Sequence, residues 1–140
     1  MDNKKIEEIK ENLYILNKSR DFIITTWTSH PLVHDILFKH NIELDMFQVT
    51  YAHPVLNYFI GVIDGSQEIG NCPIMVKLIA FLKESGITTS ELFAICINFR
   101  KSVVKSMFRY DLMSEDMYDN ISYIFDANFM GVLDAYEKEF

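Results

Sequence analysis

Apolar residues recur at helical spacing along most of the chain. In the N-terminal segment they stand three or four residues apart, at Ile6, Ile9, Leu13 and Leu16. Because residues three and four apart share one face of an α-helix, this spacing predicts a helix near residues 3–17. Ser19 then predicts the N-cap of a second helix, RDFIITTWTSH, which is rich in β-branched residues.

Prolines mark the next predicted helices. Pro31 fits the first turn of a short helix, where a missing amide hydrogen costs nothing. The residues predicted to face inward from this helix are Leu32, Val33, Ile36 and Leu37. The segment ELDMFQVTYAHPVLNYFIGVIDG has a long helical pattern, and Pro54 inside it predicts a kink or a division. The segment DGSQEIGNC, with two glycines and no periodicity, predicts a loop.

The stretch FLKESGITTSELF predicts that one helix ends and another begins. A helix starting at Pro73 should end at Gly86, because glycine adopts the left-handed cap conformation without a Cβ penalty. Thr88 and Glu91 match a T-x-x-E capping box, which predicts a long helix from Thr89 to about residue 110. Its predicted inward face is Leu92, Ile95, Phe99, Val103 and Met107.

The last predicted helix begins after Ser114 and has an unusually wide apolar face. Its apolar residues are Met117, Ile121, Ile124, Phe125, Phe129, Met130, Val132, Leu133 and Tyr136. One-sided packing needs a stripe of only about 100°. A second apolar face predicts a homodimer built mainly from the last two helices. The predicted interface residues are Phe125, Phe129, Val132 and Tyr136. The other interpretation is that all of these side chains pack within the monomer.

The predicted class is all-α, because no segment of convincing strand length alternates between apolar and polar residues. The 140 residues suit one domain. Short early helices followed by two long ones favour globin-type packing around a central cavity over an even four-helix bundle. The chain stops at LDAYEKEF without a cap signal, so the last helix is expected to continue into a further domain.

Charge and hydropathy narrow the functional classes. The net charge of −7 disfavours binding to a phosphate backbone, and the basic segment NFRKSVVKSMFR is interpreted as a solvated helix face. No apolar run approaches the roughly 18 residues needed to cross a bilayer. The charged N-terminus does not resemble a signal peptide, so we expect a cytoplasmic location with Cys72 and Cys96 reduced.

Residue patterns that carry chemistry are sparse. His30 and His34 are four residues apart, but Pro31 between them disfavours helical geometry at His30, and no zinc site is predicted. No motif pairs a nucleophile with a base or cradles a phosphate, so we predict neither enzymatic activity nor a cofactor. Seven methionines and 14% aromatic residues fit either a filled core or an apolar pocket for a small lipid-like or aromatic ligand, or for a porphyrin.

The segment from PIMVKLIAFLKESGITTSELF through the last helix resembles the sensor globins of bacterial signalling proteins. In that group a short helix, a G-[IL] turn and two long helices follow in this order. Haem-binding members carry the proximal histidine about one turn before the G-[IL] turn. Here Phe81 and Leu82 stand at that place, and residues 72–86 contain no histidine. An apolar side chain cannot ligate iron.

The chain therefore looks more like the haem-less globin-like N-terminal domains of the RsbR stressosome proteins. This resemblance implies a dimeric, haem-free sensory domain that pairs through its last two helices. It also implies a C-terminal output domain, such as a histidine kinase, a diguanylate cyclase or a stressosome domain. Two alternatives stay open: a haem gas sensor ligated through His53, and a stand-alone protein that binds a small apolar ligand.

Overall fold

The computed structural model describes residues 13–68 and 73–138, and this part of the chain is helical without any strand. Residues 13–18 belong to a first helix, α1. The helices that follow are α2 (Arg20–Ser29), α3 (Pro31–Lys39), α4 (Leu44–Phe47), α5 (His53–Asp64), α6 (Pro73–Glu84), α7 (Thr89–Arg109) and α8 (Glu115–Lys138). The all-α prediction is confirmed for these residues. The predicted start of the first helix, and residues 69–72 of the predicted loop with Cys72, lie outside them.

Pro54 divides the long helical pattern between α4 and α5, as predicted. A π-helical turn, Gln48–Ala52, directly precedes α5, in which Pro54 is the second residue. Proline has no amide hydrogen to donate to the helical ladder, so a regular α-helix cannot run through this point intact. A wider π-type turn accommodates the mismatch.

The junction between α6 and α7 also forms as predicted. Gly86 has φ +86°, and its N–H donates to the Lys83 carbonyl at 3.0 Å. The capping box is complete, because the Glu91 N–H donates to Thr88 Oγ1 at 3.2 Å and the Thr88 N–H donates to Glu91 Oε1 at 2.9 Å. All five residues of the predicted inward face of α7 are buried.

At the start of α8, the Met117 N–H donates to Ser114 Oγ at 3.1 Å, which confirms the predicted cap.

Two local predictions are wrong. Ser19 does not cap α2 with its side chain. Its own N–H donates to the Ile15 carbonyl at 2.8 Å, so helical hydrogen bonding continues from α1 into α2. Leu32 is 49% exposed. The buried face of α3 contains Val33 and Leu37, and Leu32 lies about 100° away from Val33 around the helix.

Helices α2 and α8 both pack along α7. Trp27 near the end of α2 lies 4.5 Å from Phe99 between ring centroids, and Phe22 near its start lies under the Arg109 guanidinium at 4.5 Å. These contacts make α2 antiparallel to α7. Helix α8 is antiparallel to α7 on another side, where Arg100 pairs with Asp126 at 2.7 Å. The core between these helices is an aromatic cluster of Trp27, Phe59, Phe99, Phe125 and Phe129.

Candidate functional site

An apolar cavity of about 210 Å³ lies beside the aromatic cluster. Its walls come from α2 and from α4 to α8, and the aromatic side of the wall consists of Trp27, Phe47, Tyr58, Phe59, Phe99 and Phe129. Rigid rings that hold one another at 4.5 to 6.2 Å between centroids cannot move freely to fill this space. The volume exceeds the roughly 150 Å³ of an apolar cavity that binds benzene and lies below the roughly 300–1,000 Å³ typical of pockets for drug-sized ligands. It suits a small apolar molecule.

The polar groups in the wall are engaged by the protein. The Trp27 Nε1–H donates to the Ile95 carbonyl at 2.9 Å. Tyr58 Oη lies 3.0 Å from Asn128 Oδ1, and Asn128 Nδ2 donates to the Ile124 carbonyl at 2.8 Å. Buried polar groups that already have partners do not require water in the cavity. The site therefore offers a predominantly apolar interior with one polar spot at Tyr58 and Asn128.

The cavity opens between α6 and α8. Val76 on α6 is 72% exposed, and Gly131 on α8 is also exposed, although both line the cavity. Beside them, Met75 and Ala135 are half-buried. The wall residues from α2, α4, α5 and α7 are all buried. Among the described residues, the route from solvent into the cavity thus passes between these two helices.

Cys96 contributes a thiol to the wall. Burial raises the pKa of this thiol to about 12, so it stays protonated at neutral pH. A protonated buried thiol packs as a small apolar group and is a poor nucleophile or metal ligand. The prediction that Cys96 acts as a small apolar residue is confirmed.

The four residues predicted for a dimer interface lie in the core of a single chain. Phe125, Phe129, Val132 and Tyr136 are 1%, 9%, 7% and 2% exposed. Phe129 and Val132 line the cavity, Phe125 stacks on Phe59, and Tyr136 Oη donates to the Ile87 carbonyl. Helix α8 packs against both α6 and α7, and this accounts for its wide apolar face except for Met130, which is exposed. These four side chains therefore pack within the monomer, as the other interpretation of the apolar face holds. Dimerisation itself stays a prediction.

The predicted histidines do not meet at the cavity. His53, the candidate haem ligand, is the half-buried first residue of α5 and does not line the cavity, and no histidine does. Leu82, where the sequence resemblance would place the iron ligand of a haem-binding sensor globin, lines the cavity, whereas Phe81 stacks on Tyr51 with centroids 4.9 Å apart. His30 Nδ1 instead accepts the Leu32 N–H. Within the described residues no group of three or more histidine, cysteine or acidic side chains could hold a metal ion.

A polar cluster that no sequence pattern predicted joins α3 to the start of α7. His40 Nε2 lies 2.9 Å from Glu91 Oε1, His40 Nδ1 lies 3.0 Å from the Ser85 carbonyl oxygen, and Lys39 Nζ lies 3.2 Å from Glu91 Oε2. Burial acts to raise the pKa of Glu91, but hydrogen bonds from Thr88, Lys39 and His40 outweigh it and lower the pKa to about 2. The capping box pointed to Glu91, but nothing local indicated partners 51 and 52 residues earlier.

Comparisons with known proteins give no match for this chain, whether with models of protein families, with curated proteins or with solved structures. Among the helices that the structure describes, none combines the length and the apolar character that a membrane crossing requires.

Proposed function

We propose that this chain is a haem-free sensory domain that binds a small, uncharged, apolar molecule in the cavity between α6, α7 and α8. The observation that carries this proposal is the 210 Å³ cavity with a predominantly apolar wall. Burial of apolar surface contributes about 25 cal/mol per Å², so a molecule of this size gains useful affinity from enclosure alone. A charged ligand would leave its charge without a compensating partner in this wall.

The position of α8 supports a role in signalling. Asn128, Phe129, Gly131 and Val132 of this helix line the cavity, so a bound molecule contacts α8 directly. Tyr136, one to two turns further on, ties the same helix to the α6–α7 turn through the Ile87 carbonyl. A ligand shifts a conformational equilibrium only by its difference in affinity for the two states. Under this proposal the ligand distinguishes two placements of α8 and passes the difference to a C-terminal output domain.

The globin-like identity belongs to the same proposal. Its support is the order of helices around the α6–α7 turn and the place of Leu82, which lines the cavity where a haem-binding relative would carry its iron ligand. A haem sensor ligated through His53 has less support, because His53 lies outside the cavity wall. If titration with haemin gave a sharp low-spin spectrum that His53→Ala abolished, the haem alternative would replace this proposal.

The binding step is tested through Trp27, which is the single tryptophan of the chain and lines the cavity. Bromobenzene, an uncharged heavy-atom quencher slightly larger than benzene, should quench its emission along a saturating curve. Cys96→Phe should fill part of the cavity and weaken this binding by about tenfold, or about 1.4 kcal/mol. Cys96→Ala is the matched control, because it removes the thiol without filling the space. Linear, unsaturated quenching of the wild type would contradict the proposal.

A homodimer through the outer faces of α7 and α8 is the second part of the proposal. The exposed apolar residues on these faces are Phe93, Phe108, Tyr123 and Met130, which are 53%, 63%, 68% and 73% exposed. The Arg100–Asp126 ion pair joins the two helices, and along the chain it lies between Phe93 and Phe108 on α7 and between Tyr123 and Met130 on α8. Exposed apolar residues grouped on one face are typical of surfaces that meet a partner.

We expect Met130→Glu to convert a dimer to a species near the monomer mass of 16.4 kDa without unfolding it. Met130 is 73% exposed, so a carboxylate there stays hydrated in the monomer and opposes association only. Phe129→Glu, one residue earlier, should instead unfold the chain, because it buries a charge beside Phe125. Sedimentation velocity and circular dichroism separate the two results. A wild type that sediments as a monomer at tens of micromolar would refute the dimer.

A further inference from the structure

We propose that Gly131 is the entrance residue of the cavity, and that the absence of a side chain there admits the ligand between α6 and α8. This inference rests on the proposed binding function and goes beyond it, because it assigns the path of entry and a residue that selects ligands by size. The observation behind it is a conflict between local helix preference and the structure at one position.

A glycine in the middle of the 24-residue helix α8 is locally unfavourable. Glycine is worse than alanine at an interior helical position because it loses more backbone entropy on folding. Tight backbone geometry does not explain its presence, since Gly131 is not among the glycines with positive φ. Steric crowding does not explain it either, because a Cβ atom built at Gly131 has no heavy atom within 4 Å. Folding therefore gives no reason for a glycine at this position.

The place of Gly131 supplies a reason. It is exposed and lines the cavity, as Val76 on α6 also does, so both residues lie where the cavity reaches the surface. Side chains on an α-helix lean towards its N-terminus, so a side chain at position 131 would extend over the turn that contains Asn128, another wall residue. Any large residue at this position would cover the opening. Positions where local rules fail without a structural cause are where function is expected.

The test measures how fast bromobenzene enters, by stopped-flow quenching of Trp27 emission. Gly131→Phe should slow association by about tenfold or more, because its ring lies across the opening. Gly131→Ala should bind within about twofold of the wild-type rate and raise Tm by about 3 °C, since it restores helix propensity without covering the opening. Lys77→Phe is the matched control, because Lys77, next to Val76 on α6, is exposed and does not line the cavity.

Each result of this experiment either supports or overturns the assignment of Gly131 as the entrance residue. If Gly131→Phe associates as fast as Lys77→Phe, the entrance lies elsewhere and this inference is overturned while the proposed binding function stands. If the wild type shows no saturable quenching at all, the binding function fails and the entrance fails with it. Circular dichroism melting verifies that each variant is folded. Should Gly131→Phe not fold, Val76→Phe on the opposite side of the opening takes its place, with the same expected slowing and the same contrary result.

Discussion

Replacing Phe125 with alanine should lower the free energy of unfolding by about 3–5 kcal/mol, which is a large part of the roughly 5–15 kcal/mol that stabilises an ordinary domain. Phe125 is 1% exposed and lies at the centre of the aromatic cluster. Its ring centroid is 4.4 Å from that of Phe59, 5.3 Å from Phe99 and 5.5 Å from Phe129. The substitution removes all three ring contacts and leaves a void that these rigid neighbours cannot fill.

Urea unfolding followed by circular dichroism measures this loss. Phe38→Ala is the matched control, because the same group is deleted from a side chain that is 79% exposed on α3. Its cost should stay within about 0.5 kcal/mol. The experiment also bears on the predicted dimer interface. If Phe125→Ala halved the sedimenting mass and left the urea midpoint unchanged, the ring would serve a second copy and not the core of its own chain.

Replacing Glu91 with glutamine should cost about 1–2 kcal/mol at neutral pH, and the difference from wild type should vanish in acid. The Glu91 carboxylate accepts from Lys39 and Thr88 and contacts His40. A pKa lowered from 4.5 to about 2 corresponds to about 3 kcal/mol of folding free energy when solvent screening is ignored. We expect less, because Lys39 is 68% exposed and solvent screens its charge.

The direction of the pH dependence follows from the lowered pKa of Glu91. The Glu91 carboxylate binds a proton less readily in the folded state than in the unfolded state. The ionised carboxylate therefore stabilises the fold above about pH 4.5. This stabilisation is lost as the pH falls from about 4.5 to about 2. Urea midpoints of wild type and Glu91→Gln should therefore converge across this interval. Glu84→Gln, which changes an exposed carboxyl at the end of α6, is the control and should keep the wild-type urea midpoint at neutral pH. A difference between wild type and Glu91→Gln that is undiminished at pH 2 would contradict the assignment.

Helix ends were the most predictable part of this fold. Gly86, the Thr88–Glu91 box and the Ser114 cap all appear as expected, because each is a contact between residues a few positions apart. Ser19 shows where such reasoning stops. Serine predicts a free helix start, but the preceding helix continues hydrogen bonding up to Ser19, so no cap was needed. Whether a helix start is free depends on the chain before it.

The candidate site was predictable only in outline. The surplus of aromatic residues and methionines was compatible with either a pocket or a filled core. These two arrangements differ only in whether the side chains from several helices leave a volume empty. The periodicity of the sequence correctly predicted the wide apolar face of α8. It did not predict that Phe125 and Tyr136 on that face lie in the core of their own chain. Periodicity gives the face of a helix but not the element that covers it.

The amino-acid sequence by itself therefore determined the helices, most of their caps and the all-α class, because helical hydrogen bonds and side-chain periodicity act over three or four residues. The tertiary structure alone decided what covers α8, where the cavity remains unfilled, and why Gly131 lies at its opening. It also brought His40 to Glu91 across 51 residues. These features depend on contacts between distant segments, and no local pattern records them.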